Sequence, residues 1–160
     1  MRLILLALVV SVSSAIAAPS QSRIVASGLC EQPKPTERYA QPQSTAGYAT
    51  LGDLVITKQT DIVPLRRGIG FGFTWRAEGL PKIVNVVYLI EHPTITKPNG
   101  VRLQSFEEPM THESEGGVLQ TTDCYMLSED HELVPGEWSM TILHKGLPLA
   151  KRTFRVVREP

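Results

Sequence analysis

Beyond Val12 the sequence has no long hydrophobic run, so no later segment reads as a membrane-spanning helix of about 20 apolar residues. It has no polybasic tract, and its 16 Lys and Arg balance 16 Asp and Glu. Without such a tract there is no electrostatic footprint for nucleic acid or for an anionic membrane surface. Cysteine is scarce, at two in 160 residues. No histidine pair has the spacing of a zinc site, so neither a metal nor another cofactor is expected. No G-x-S-x-G elbow is present, and no helical periodicity matches the strength of the alternating segments. Lys and Arg are missing between Arg102 and Lys145, a stretch that carries Glu107, Glu108, Glu113, Glu115, Asp123, Glu129, Asp130, Glu132 and Glu137.

What is present begins with an export signal over residues 1–17. Arg2 supplies a short positive region, residues 3–12 are apolar apart from Ser11, and Ala15-Ile16-Ala17 fits small-x-small cleavage after Ala17. Roughly 140 residues remain, enough for one domain that buries about two thirds of its unfolded surface. Export places Cys30 and Cys124 in an oxidising compartment, periplasmic or extracellular, where a single bridge between them is expected. Closing a loop of about 94 residues is worth roughly 4–5 kcal/mol in chain entropy.

The rest reads as strands. Ile24, Ala26, Gly28 and Cys30 share a face in residues 24–30, which turns Cys30 inward if that face is core. Residues 31–53 hold Pro33, Pro35, Pro42, Gly47 and Gly52 among polar groups, and predict a long loop of the kind that often carries function. Tyr39 and Tyr48 are its large apolar groups, placed to tack it to the surface or to touch a ligand. Residues 54–65 resemble a broken edge strand interrupted at Pro64. In 68–76, Ile69, Phe71, Phe73 and Trp75 line one face while Gly68, Gly70, Gly72, Thr74 and Arg76 line the other. Residues 83–90 read as a central strand, 91–100 as a loop and turn, and 101–107 and 118–125 as further strands. Pro135-Gly136, the strand to His144, Lys145-Gly146 and the strand from Ala150 form a closing hairpin. The prediction is a single all-β domain over 18–160, an immunoglobulin-like sandwich of seven or eight antiparallel strands.

No motif points to catalysis. Gly68, Gly70 and Gly72 are wrongly spaced for a dinucleotide fingerprint and lie inside a strand, so they mark close packing instead. Adjacent Glu107 and Glu108 point to opposite faces of a strand. Of the four histidines, His112 carries no motif, His131 sits in an Asp130–Glu132 turn expected to be solvated, and His144 ends a strand with an imidazole expected to be exposed. Trp75 and Trp138 sit in strong alternation and are expected in the core. The acidic stretch and the basic tail (Lys145, Lys151, Arg152, Arg155, Arg158) are expected to neutralise each other across the sheet.

The segments Ile62-Val63-Pro64-Leu65, Phe71-Gly72-Phe73, Trp75-Arg76, Glu91-His92-Pro93, Pro98-Asn99-Gly100 and Glu132-Leu133-Val134-Pro135-Gly136-Glu137-Trp138 resemble a bacterial exported family, domain of unknown function 3859. The resemblance spans nearly the whole mature chain and implies a bacterial exported protein with a small β domain. The expected role is a non-catalytic binding or interaction module, with another envelope protein as its partner or, alternatively, a small molecule or glycan as its ligand. A hydrolase with a dispersed site is the remaining reading. The candidate contact residues are Tyr39, Tyr48, His92 and Asn99, on the loops 31–53 and 91–100, with 109–116 as a third loop.

Overall fold

The computed structural model describes residues 21–34 and 37–158; the expected export signal at 1–17 lies outside the described residues. The strands are β1 (Gln21–Glu31), β2 (Glu37–Ala40), β3 (Tyr48–Leu51), β4 (Val55–Gln59), β5 (Ile62–Pro64), β6 (Gly70–Glu78), β7 (Ile83–Thr96), β8 (Arg102–Glu113), β9 (Val118–Met126), β10 (Gly136–His144) and β11 (Leu147–Val157). One sheet has the order β4-β1-β6-β9, the other β5-β11-β10-β7-β8, and β2 pairs only with β3. The two larger sheets form the sandwich. Its strand count exceeds eight because residues 54–65 split into β4 on one sheet and β5 on the other. Pairing is antiparallel except between β5 and β11, which run parallel.

The core follows from the alternation. Phe71, Phe73, Trp75 and Ala77 of β6 are fully buried and meet Trp138, Met140 and Ile142 of β10 and Phe154 of β11. Phe71 lies edge-on to Trp138, with ring centroids 5.7 Å apart, and 5.2 Å from Phe154. Each such buried side chain stabilises the fold by about 1.5–3 kcal/mol through lost apolar surface. Lys145 (φ 50°) and Gly146 (φ 78°) make the two-residue turn between β10 and β11, both in the left-handed region that matches strand twist. Glu137 faces Arg155 across that hairpin, Arg152 grips Asp61, and Lys151 reaches Glu91, so much of the basic tail is neutralised within its own sheet.

The cysteines are bonded, and Cys30 is buried, but on the face of its sheet opposite the core rings. Cys30 pairs with Gly70, and Cys124 with Gly72. Opposite residues share a face, so the bridge lies on the glycine side of β6, away from Phe71 and Phe73. It joins β1 to β9 over the top of β6. Alternate strands normally lie about 9.5 Å apart, yet the two Cα atoms are 6.6 Å apart. A Cβ on Gly70 would lie 2.9 Å from Cys30 Sγ, and one on Gly72 2.6 Å from Cys124 Cα. Only hydrogen at these positions lets the bridge cross.

Three predicted loops contain strand. Residues 31–53 contain the β2–β3 hairpin. Strand β7 continues to Thr96, absorbing Pro93 in an irregularity between Glu91 and Ile95. Strand β8 runs through Pro109, whose missing N–H is tolerated because β8 is a sheet edge.

Candidate functional site

Strands β8 and β9 are the edges of the two sheets on the same side of the sandwich, joined by the turn at 114–117. Tyr88 of β7 pairs with Glu108 of β8, Ile90 with Phe106, Val86 with Met110 and Val84 with His112. Register therefore puts Phe106, Glu108, Met110 and His112 on the inner face of β8. On β9, Asp123 pairs with core-facing Phe73, and Tyr125 with Phe71. These two edges do not close on each other. The β2–β3 hairpin covers the gap, and a cavity of about 290 Å³ remains beneath it.

Among the described residues the hairpin has no ladder to either sheet, and side-chain hydrogen bonds tie it down. Tyr39 donates its hydroxyl hydrogen to Glu108 Oε1 (2.9 Å), and Tyr48 donates to Glu129 Oε1 (3.0 Å). Lys97 Nζ, from the β7–β8 turn, donates to the carbonyls of Pro42 (3.0 Å) and Ser44 (2.7 Å). The hairpin strands are exposed or half-buried, whereas Gln41, Ser44 and Thr45 in the connecting loop are buried. Thr45 is the deepest of these and bonds both Tyr125 and Glu132.

Glu132 is a buried carboxylate with a complete set of donors. Oε1 accepts from the hydroxyls of Thr45 and Tyr125, and Oε2 from the backbone N–H groups of Ser128 and Glu129, each at 2.9 Å. It ends the 3₁₀ turn Asp130–Glu132, so that turn is not simply solvated. His131 Nε2 lies 2.8 Å from the Thr45 carbonyl oxygen and adds a further contact to the hairpin. Burial and the adjacent Glu132 push the Tyr125 phenol well above its ordinary range.

At the other end of the cavity the polar groups are not matched. Trp75 Nε1 donates to Asp123 Oδ2 at 2.6 Å. Burial raises the Asp123 carboxyl above the usual carboxylate range, against the Trp75 hydrogen bond and nearby His112, which lower it. Tyr88 is 4% exposed, and its hydroxyl has no hydrogen-bond partner among the described residues. Nε2 of His112 is likewise buried and unpartnered. Both residues line the cavity, as do Glu108 and Asp123, and no described Lys or Arg does. Burial, with Asp123 and Glu108 nearby, pushes the Tyr88 phenol far up, so its hydroxyl stays protonated.

Of the sequence candidates, Tyr39 and Tyr48 line the cavity, and both also tack the hairpin down. Burial and Glu108 push the Tyr39 phenol up to about 12. His92 and Asn99 are not among the lining residues. His92 is buried beside Trp138, with centroids 5.0 Å apart, and Nδ1 lies 2.8 Å from the Pro93 carbonyl oxygen. Burial lowers its pKa. Asn99 Oδ1 accepts the Val101 N–H and shapes the β7–β8 turn. His144 is buried rather than exposed, with Nδ1 2.9 Å from the Asn85 carbonyl oxygen.

The family model described as "Domain of unknown function (DUF3859)" matches residues 20–156. The chain belongs to that family. No curated relative matches it. Among solved structures, an immunoglobulin-like protein from Pseudomonas aeruginosa is similar at 23% identity and a TM-score of 0.60, covering 88% of this chain and 100% of that one. That likeness shows the fold: this DUF3859 domain is an immunoglobulin-like β-sandwich. A DNA-bound alkylpurine DNA glycosylase from Pseudomonas fluorescens aligns at 16% identity over 60% of this chain and 27% of its own, and its TM-score of 0.39 carries no argument.

Residues missed in the sequence are Thr45, Tyr88, Glu108, His112, Asp123 and Glu132. One signal was available for Asp123. If Thr122 and Cys124 share one face of β9, Asp123 falls on the other, between Leu119 and Tyr125, as a carboxyl on a core face. The stretch without Lys or Arg is the second signal, since it supplies all three carboxyl groups at the cavity.

Proposed function

We propose that this DUF3859 domain is an exported, non-catalytic binding module that takes a small molecule in the cavity under the β2–β3 hairpin. The observation that carries this reading is the pair of buried, unpartnered groups at the cavity wall, Tyr88 Oη and His112 Nε2. Buried polar groups without partners are rare in folded proteins, because each costs roughly 1–3 kcal/mol. A bound molecule would satisfy both. Concave sites of a few hundred Å³ with mostly apolar walls and a few convergent polar groups are the usual form of small-ligand sites. Periplasmic or secreted placement is supported by the Cys30–Cys124 bridge and by the lack of any described helix long and apolar enough to cross a membrane.

An envelope-protein partner has weaker support. Among the described residues the eight large exposed apolar side chains, Val25, Val55, Ile62, Ile83 and Leu147 among them, come from eight different elements or turns. A docking surface calls for a contiguous patch of several hundred Å².

Ligand-detected NMR on the mature protein, against a mixture of small amines, alcohols, sugars and acids, tests the reading. Met110→Trp fills the cavity from the inner face of β8. Saturable binders that are lost in this variant, with its unfolding midpoint kept, are the expected result. Binders equally strong in Met110→Trp would place the ligand elsewhere.

A further inference from the structure

The cavity wall carries more acidic than basic groups. Three carboxyl groups reach it, from Glu108, Asp123 and Glu132, and no described Lys or Arg lines it. Glu132 is satisfied by four donors within the protein. Glu108 takes one hydroxyl hydrogen from Tyr39, and Asp123 takes the Trp75 indole hydrogen on one oxygen. Neither has a described cationic side chain bonded to it. Buried carboxylates are normally paired with a positive charge, because an unpaired one is costly in a low-dielectric site. Here the unpaired carboxylates share the wall with the unpartnered Tyr88 hydroxyl and His112 Nε2, both able to accept a hydrogen bond in a suitable tautomer or rotamer.

The remaining wall is aromatic. Tyr39, Tyr48, Tyr88, Phe106 and Tyr125 all line the cavity. Phe106 and Tyr125 have ring centroids 6.1 Å apart. Aromatic faces attract a cation through their quadrupole, most strongly where water is excluded. An anion would bring its charge against three carboxyl groups, with His112 as the one basic side chain among the described lining residues and Arg38 already stacked on the Tyr48 ring.

We propose that the ligand is a small organic ammonium ion, held through its N–H groups by Asp123, Tyr88 and His112 and along its apolar body by the tyrosines and Phe106. This deepens the binding reading above and rests on it. Asp123 is the primary counter-ion, being the more deeply buried of the two unpaired carboxyls, and Glu108 adds charge from the hairpin side.

The test compares benzylammonium, benzyl alcohol and benzoate, three probes with one apolar body and different charge, by titration calorimetry at pH 7. The expected result is that benzylammonium binds about tenfold or more tightly than benzyl alcohol, with no saturable binding of benzoate. Asp123→Asn keeps an oxygen for the Trp75 N–H and should erase most of that preference; Glu108→Gln should reduce it. Near-UV circular dichroism of each variant reports whether the core is intact. Equal binding of the alcohol and the ammonium, lost in Met110→Trp, would overturn the ammonium assignment while leaving the cavity as the site. A preference for ammonium that survives both carboxyl substitutions in folded variants would also overturn it. Binding of none of the three probes would count against the assignment and the cavity reading together.

Discussion

At the scale of single residues, Glu132 and Asp123 are two buried carboxyl groups in opposite situations. Glu132 gathers Thr45 of the hairpin, Tyr125 of β9 and two backbone N–H groups of its own turn. Glu132→Ala strands these donors, and at roughly 1–3 kcal/mol for an unsatisfied buried group, partly relieved by water, the loss should be about 2–5 kcal/mol. Urea unfolding measures it, and a loss under about 1 kcal/mol would mean the carboxylate is not the hub described. Asp123 is held above the ordinary carboxyl range by burial. Its unfolded value is about 4, so the folded state holds this proton more tightly than the unfolded chain does. The resulting stabilisation is full below about pH 4 and is lost as pH rises through the higher folded value. Asp123→Asn has no such proton. Its stability relative to the natural chain should therefore improve as pH rises above about 4 and level off above the folded value, and parallel stability curves for the two proteins would contradict the shift. Of the two, only Asp123 left a signal in local sequence, as a carboxyl on the core face of β9. Glu132 looks like a solvated turn residue because its partners lie 7 and 87 positions away, and only the folded register brings them together.

At the scale of elements, the bridge over β6 explains the glycines of the Gly70-Phe71-Gly72 run. One face needs large rings for the core, and the other needs nothing larger than hydrogen so that β1 and β9 can be tied across it. A Cβ on Gly72 would lie 2.0 Å from the Asp123 carbonyl oxygen and 2.6 Å from Cys124 Cα. Gly72→Ala should therefore cost about 3 kcal/mol or more and leave alkylatable thiols in the oxidised protein; a fully bridged variant of normal stability would refute this packing. The same segment shows what pattern reading can recover. The period of two in β6, and the turn residues flanking β10 and β11, carry their own structural information, so those elements were legible. The β2–β3 hairpin was not. Each of its strands has only four residues, none of them fully buried, and its order comes from contacts of Tyr39, Tyr48, Thr45 and Lys97 between segments distant in sequence. Strand β7 outran its expected end because a bulge accommodates Pro93, a local remedy that residue type alone does not reveal.

At the scale of the whole molecule, the sandwich is a standard solution with one side left ajar. The β4–β5 side is closed by the chain passing directly from one sheet to the other. The β8–β9 side is opened by polar residues on inner faces, and the hairpin that roofs it is fastened mainly by hydrogen bonds. Two aromatic layers and a bridged sheet supply a rigid frame, and such a frame is where a ligand site can tolerate unpaired polar groups at modest cost to stability. The fold class was legible because it depends on many repeated local signals. The cavity was not, because it depends on three strands and a hairpin meeting at one edge. The most direct test of the account is a crystal structure of the mature protein isolated from its native envelope without exhaustive dialysis. The account predicts non-protein density beneath the hairpin, within hydrogen-bonding distance of Tyr88 Oη and His112 Nε2. A cavity that holds only ordered water bonded to those two atoms, in protein purified this way and again after soaking with benzylammonium, would contradict it.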